Sequence, residues 1–70
     1  MVEPAELDEL HWAIIEHLRE GRCTPSFLAE ETGESRQLIS QRLRDLVMAG
    51  YVEKIHTGLY ELRNDPGNNS

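Results

Sequence analysis

Cysteine is nearly missing from this 70-residue chain: Cys23 stands alone, so no internal disulfide can form and no second cysteine exists for a zinc knuckle. Lysine is as scarce, with Lys54 the single lysine against 13 acids and arginine supplying the rest of the positive charge. No apolar run approaches the roughly 18 to 20 residues of a membrane span, and no basic start leads into an apolar stretch and a cleavage site. The expected address is therefore the cytoplasm, with no membrane partner. There is no glycine-rich phosphate loop. His11 and His17 point about 120° apart on a helix and with Cys23 make no recognisable metal set. Ser35, Ser40 and His56 fall into no pattern that places a nucleophile beside a base. In a chain too short for a large cleft, these absences lead us to expect no enzyme, no cofactor and no metal. In so short a chain no sensor domain is expected, and no small-molecule effector site is evident.

What remains is a composition of 39% hydrophobic and 29% charged residues, close to that of an ordinary soluble domain. The net charge of −6 argues at face value against a nucleic-acid partner. Its distribution along the chain weakens that objection. Through residue 33 the chain holds Glu3, Glu6, Asp8, Glu9, Glu16, Glu20, Glu30 and Glu31 against only Arg19 and Arg22. From residue 34 to 63, Arg36, Arg42, Arg44, Lys54 and Arg63 slightly outnumber Glu34, Asp45, Glu53 and Glu61. An acidic half beside an arginine-bearing half fits a solvated back and a phosphate-facing front, although three arginines on one helix are also ordinary surface. The scarcity of lysine among so many acids further fits a protein kept soluble in concentrated salt.

Periodicity supplies the elements. Pro4 suits a first helical turn, and Leu7, Leu10, Ile14 and Leu18 recur at spacings of three and four until Gly21, which predicts one amphipathic helix. His11 and Ile15 flank this stripe. Trp12 lies about 140° around from Leu7, off the core face, where it serves either a dimer contact or a loop lying over the helix edge. Arg22 and Cys23 leave space for no more than a one-rung strand. Thr24 caps a second helix with Pro25 in first position and Phe27, Leu28 and Ala29 as its apolar face, ending by Gly33. Ser35 caps a third, spanning 36–49, whose stripe is Ile39, Leu43, Leu46 and Val47 and whose end is Gly50. With Ile39 at 0°, that stripe lies between about −20° and +80°, while Gln37, Gln41 and Arg44 lie between about 140° and 200°. Strand-like runs at 51–56 and 59–63 flank Thr57-Gly58, a hairpin turn, and the broken alternation of Val52 and Ile55 predicts a bulge or an exposed apolar residue. Residues 64–70, NDPGNNS, carry nothing to bury and are expected to be a disordered tail behind a single domain of residues 1–63.

Helix, short helix, tight turn, longer helix and hairpin is the order of a winged helix-turn-helix: mainly α, three helices plus a two-stranded wing. The run from Thr24 to Leu62 also resembles archaeal winged helix-turn-helix transcriptional regulators, in particular the halophage phi-H repressor-like group. The matching features are Thr24-Pro25, Leu28-Ala29, Ser35, Ile39-Ser40-Gln41-Arg42-Leu43, Gly50 and Gly58-Leu59-Tyr60-Glu61-Leu62. The resemblance implies sequence-specific binding of double-stranded DNA and control of transcription, commonly by a homodimer. Two departures stand out: the chain ends in NDPGNNS where many relatives continue into a further apolar helical segment, and several relatives have more basic recognition helices.

If the third helix enters a major groove, side-chain chemistry distributes the work. Gln37 and Gln41 can pair with adenine, and Arg36 and Arg44 with guanine N7 and O6, so these four are the expected base readers. Thr24, Ser26, Ser40 and Arg42 suit the DNA backbone, with Arg42 equally suited to a salt bridge. Lys54, His56 and Thr57 on the wing suit an adjacent minor groove or backbone. The competing reading is a winged helix used as a protein-protein interaction module, with Trp12 as anchor. The potential of the strip joining the third helix to the wing discriminates the two: basic for DNA, acidic for protein docking.

Overall fold

The computed structural model describes residues 4–67. Its first helix does not run from Pro4 as the periodicity predicts. Pro4–Glu6 form a single 3-10 turn, and helix α1 spans Glu9–Glu20. Asp8 is the cause: its carboxylate accepts the His11 N–H at 2.9 Å, while His11 Nδ1 accepts the Asp8 N–H at 3.0 Å. This reciprocal cap satisfies two donors that an uncapped helix start would leave open, and it holds Asp8 in extended backbone geometry. Leu7, just before the cap, still reaches the core.

Helix α2 (Pro25–Thr32) starts where Thr24 Oγ1 accepts the Phe27 N–H, and helix α3 (Arg36–Met48) where Ser35 Oγ accepts the Leu38 N–H, both at 3.1 Å. Between them Gly33 takes a left-handed φ of 76°, which lets its N–H return to the Ala29 carbonyl. Ile39, Leu43 and Leu46 of α3 bury completely against Ile14, Ile15 and Leu18 of α1 and Leu28 of α2. Full burial of each such aliphatic side chain favours the folded state by about 1.5–3 kcal/mol. Two expected core residues lie outside. Val47, at the +80° edge of the α3 stripe, is 36% exposed, and Phe27 is 47% exposed. The Phe27 ring instead meets His17 edge-on, with centroids 5.9 Å apart.

The chain leaves α3 through Gly50 and forms an antiparallel hairpin of β1 (Val52–His56) and β2 (Leu59–Leu62). Val52 faces Leu62 and Lys54 faces Tyr60; then the register slips between Lys54 and His56, the bulge that the sequence predicts. Cys23 and Tyr60 exchange both backbone hydrogen bonds, at 3.0 and 2.9 Å, and so form the one-rung third strand. The result is three helices carrying a two-stranded wing, a winged-helix fold.

Residues 64–67 belong to the expected disordered tail, yet they bond to the domain. Asn64 Nδ2 donates to the Gly50 carbonyl at 2.9 Å, and Asp65 accepts from the Arg19 guanidinium. Polar pairing, which needs no apolar surface, is what the hydropathy pattern misses. Residues 68–70 of that expectation lie outside the described residues.

Candidate nucleic-acid interface

Burying Ile39, Leu43 and Leu46 obliges the opposite side of α3 to face solvent. Gln37, Ser40, Gln41 and Arg44 line one groove there. A second groove, between α3 and the wing, is lined by Ser40, Arg44, Val47, Met48, Lys54 and Tyr60. The two share Ser40 and Arg44, and neither has a carboxylate in its lining. In a chain with 13 acids, a continuous strip of amides, hydroxyls and two cations is a marked segregation of charge.

Ion pairing sharpens it. Four of the seven basic side chains are paired within the molecule: Arg19 with Glu16 and Asp65, Arg22 with Glu61, Arg42 with Asp8, and Arg63 with Glu53. Among the described residues Arg36, Arg44 and Lys54 make no ion pair, and two of these three line the strip. Exposed pairs of this kind contribute about 0–1 kcal/mol to stability, so their consequence here is which cations they leave available. Asp45, the one acid on α3, is held by His11 on α1, whose Nε2 donates to Asp45 Oδ2 at 3.0 Å. Because Nδ1 of the same ring accepts the Asp8 N–H, the hydrogen sits on Nε2.

His11, which flanks the apolar stripe of α1 in the sequence, is only 6% exposed. Its place is legible in hindsight from Asp8 three residues earlier, the spacing of a cap with its reciprocal partner. The backbone N–H of His11 holds the Asp8 carboxyl below the usual carboxylate range, with the His11 ring and Arg42 adding in the same direction against burial. The Arg19 guanidinium does the same for Asp65. Burial pushes the lone Cys23 thiol up, which suits an inert core residue.

The other expected site residues fall as follows. Arg36 is exposed in the first turn of α3, about 60° around from Ile39, and lies in neither groove. Arg42 is half-buried and takes the salt-bridge role, 3.0 Å from Asp8. Thr24 and Ser26 are exposed at the start of α2, with Thr24 Oγ1 accepting the Phe27 N–H and its hydroxyl hydrogen still free to donate. His56 and Thr57 are exposed at the wing tip, and Lys54 faces α3 rather than the tip. Trp12 is half-buried against the core, and the chain at Gly67 passes its ring edge, the loop-over-helix arrangement. Tyr60, in the groove with Arg44 and Lys54, is a residue that sequence reasoning does not single out. Its position opposite Lys54 across the hairpin is the signal that would find it.

No helix among the described residues is long and apolar enough to cross a membrane. No curated protein and no solved structure shows a significant match to the chain. The sequence profile of the MarR family does match, over residues 6–58, from the turn before α1 to the tip of the wing. With the helix-turn-helix, the wing and a carboxylate-free outer strip all in place, the chain belongs to the MarR family of DNA-binding transcriptional regulators.

Proposed function

We propose that the protein is a sequence-specific repressor that lays α3 in the major groove of double-stranded DNA and its wing along the neighbouring backbone. The observation that carries this reading is the strip joining α3 to the wing, which among the described residues has no carboxylate in its lining and holds Arg44 and Lys54 without an acidic partner. An acidic strip would have favoured the protein-docking alternative. Gln37 and Gln41 read adenine, Arg44 reads guanine or holds a phosphate, and Arg36 extends the contact at the N-terminal end of α3. Thr24, Ser26 and Ser40 set register on phosphates, and His56 and Thr57 meet DNA at the wing tip.

Repression follows from occupancy alone, and we assign no catalytic step. Family membership supports a homodimer, which would read two half-sites about one helical turn apart, with α1 at the contact. The motif resemblance to the phi-H repressor-like group and the 13 acids against a single lysine support an archaeal, salt-rich setting.

Selection of bound sequences from a random duplex pool over a range of KCl tests the proposal. A palindromic motif, altered in Gln41→Ala and bound more weakly by Arg44→Ala, is the expected result. No enrichment at any salt would move the function to protein docking.

A further inference from the structure

Ser40 and Arg44 of α3, Lys54 of β1 and Tyr60 of β2 line the same groove. All four side chains carry hydrogen-bond donors. Among the described residues none of them makes a side-chain hydrogen bond or ion pair, whereas every other arginine except Arg36 is paired. Two cations facing one groove repel each other, and a buried or bound carboxylate would ordinarily sit between them. Here none lines it.

The geometry points to a clamp for one DNA backbone phosphate, held jointly by Arg44 of the helix and Lys54 of the wing, with the Ser40 and Tyr60 hydroxyls donating to its oxygens. This rests on the DNA reading above and makes Tyr60 a DNA-contacting residue. A phosphodiester has the single negative charge and the several acceptor sites that such a set of donors satisfies. The strand continues naturally from there. Through Ser40 and Arg44 the groove opens into the one lined by Gln37 and Gln41, so a strand pinned at the clamp presents its neighbouring bases to the two amides. Val47 and Met48, the latter 71% exposed, give the groove an apolar wall against which a sugar can rest. Helix and wing thus bind as a unit, because one phosphate is fastened to both.

The test uses the duplex recovered by the selection, with one phosphate at a time replaced by a neutral methylphosphonate. For the wild-type chain, neutralising the clamped linkage is expected to weaken binding about tenfold. Arg44→Ala and Lys54→Ala each reduce the penalty at that same linkage, the double variant abolishes it, and Tyr60→Phe, which keeps the ring, blunts it. Circular dichroism of these variants checks that each is folded. Loss of sensitivity at two different linkages for Arg44→Ala and Lys54→Ala, or full sensitivity in Tyr60→Phe, overturns the clamp while leaving DNA binding intact. Failure of the wild-type chain to bind any duplex instead overturns the DNA reading, and the clamp with it.

Discussion

Asp8 carries three contacts at once: the cap of α1, the pair with Arg42 on α3, and the approach to the His11 ring. Because its carboxyl titrates lower in the folded chain than in the unfolded one, its stabilising effect is complete above the ordinary carboxylate range. That effect is lost as pH falls through the folded value, below the ordinary 3.8. Asp8→Asn keeps a capping oxygen and removes the charge. The variant should therefore show a shallower fall in stability below about pH 4 in urea titrations, with Asp65 accounting for part of the slope that remains. His11→Ala should cost about 1–3 kcal/mol, since it opens the cap and strips Asp45 of its donor. It should also weaken DNA binding, because the freed Asp45 carboxylate lies next to the reading face. If DNA affinity held in the unfolding-corrected comparison, the part of this role that holds Asp45 away from the reading face would be wrong. At this scale the sequence is least informative: it marks which residues are polar, but a cap, a pair with Arg42 and a histidine lock between helices depend on neighbours far along the chain.

At the scale of elements the sequence is far more legible. The stripe of Ile39, Leu43 and Leu46 locates both the buried and the outward faces of α3, since burying one side of a helix fixes the other. Ser35, Thr24 and Gly33 mark helix ends because caps and left-handed turns are local chemistry. The start of α1 escapes the pattern because Pro4 and Leu7 fit a helix equally well, and only the Asp8–His11 exchange breaks it. For the candidate interface, Gln37, Ser40, Gln41 and Arg44 are readable from angle alone, whereas the approach of Lys54 and Tyr60 to them requires the hairpin to be folded back. The division of labour between elements is testable. Gln41→Ala should relax preference at one base pair by about 1–3 kcal/mol, while Lys54→Ala should weaken binding to all duplexes alike. Competition titrations against single-base variants of the recovered site separate the two, and a uniform loss for Gln41→Ala would move the reading face elsewhere on α3.

For the whole molecule, net charge and binding charge are different quantities. The chain carries −6, yet among the described residues Arg36, Arg44 and Lys54 are the cations left unpaired for DNA. If each meets its own phosphate, log K against log [KCl] should fall with a slope of about 2.7 per chain; a phosphate shared by Arg44 and Lys54 lowers this towards about 1.8. A much steeper slope would mean that Arg19, Arg22, Arg42 or Arg63 leaves its acidic partner on binding. Added KCl should meanwhile favour association of the free protein, because Glu9, Glu16 and Glu20 of α1 repel a second copy and the Debye length shrinks to about 3 Å at 1 M salt. Sedimentation equilibrium across a KCl series reads this directly, and a molar mass that stays constant or falls would remove α1 as the dimer face.

The rung between Cys23 and Tyr60 has a kinetic consequence. Its two backbone bonds fasten a closed loop of chain that contains all of residues 24–59, the reading helix included. Closing so long a loop costs configurational entropy that the local contacts of the helices do not. The helix pair can thus assemble early, while the wing docks as a late, separately reversible step. Hydrogen exchange at the Cys23 and Tyr60 amides would report that opening, and each opening would release the grip of wing and helix on the same stretch of DNA.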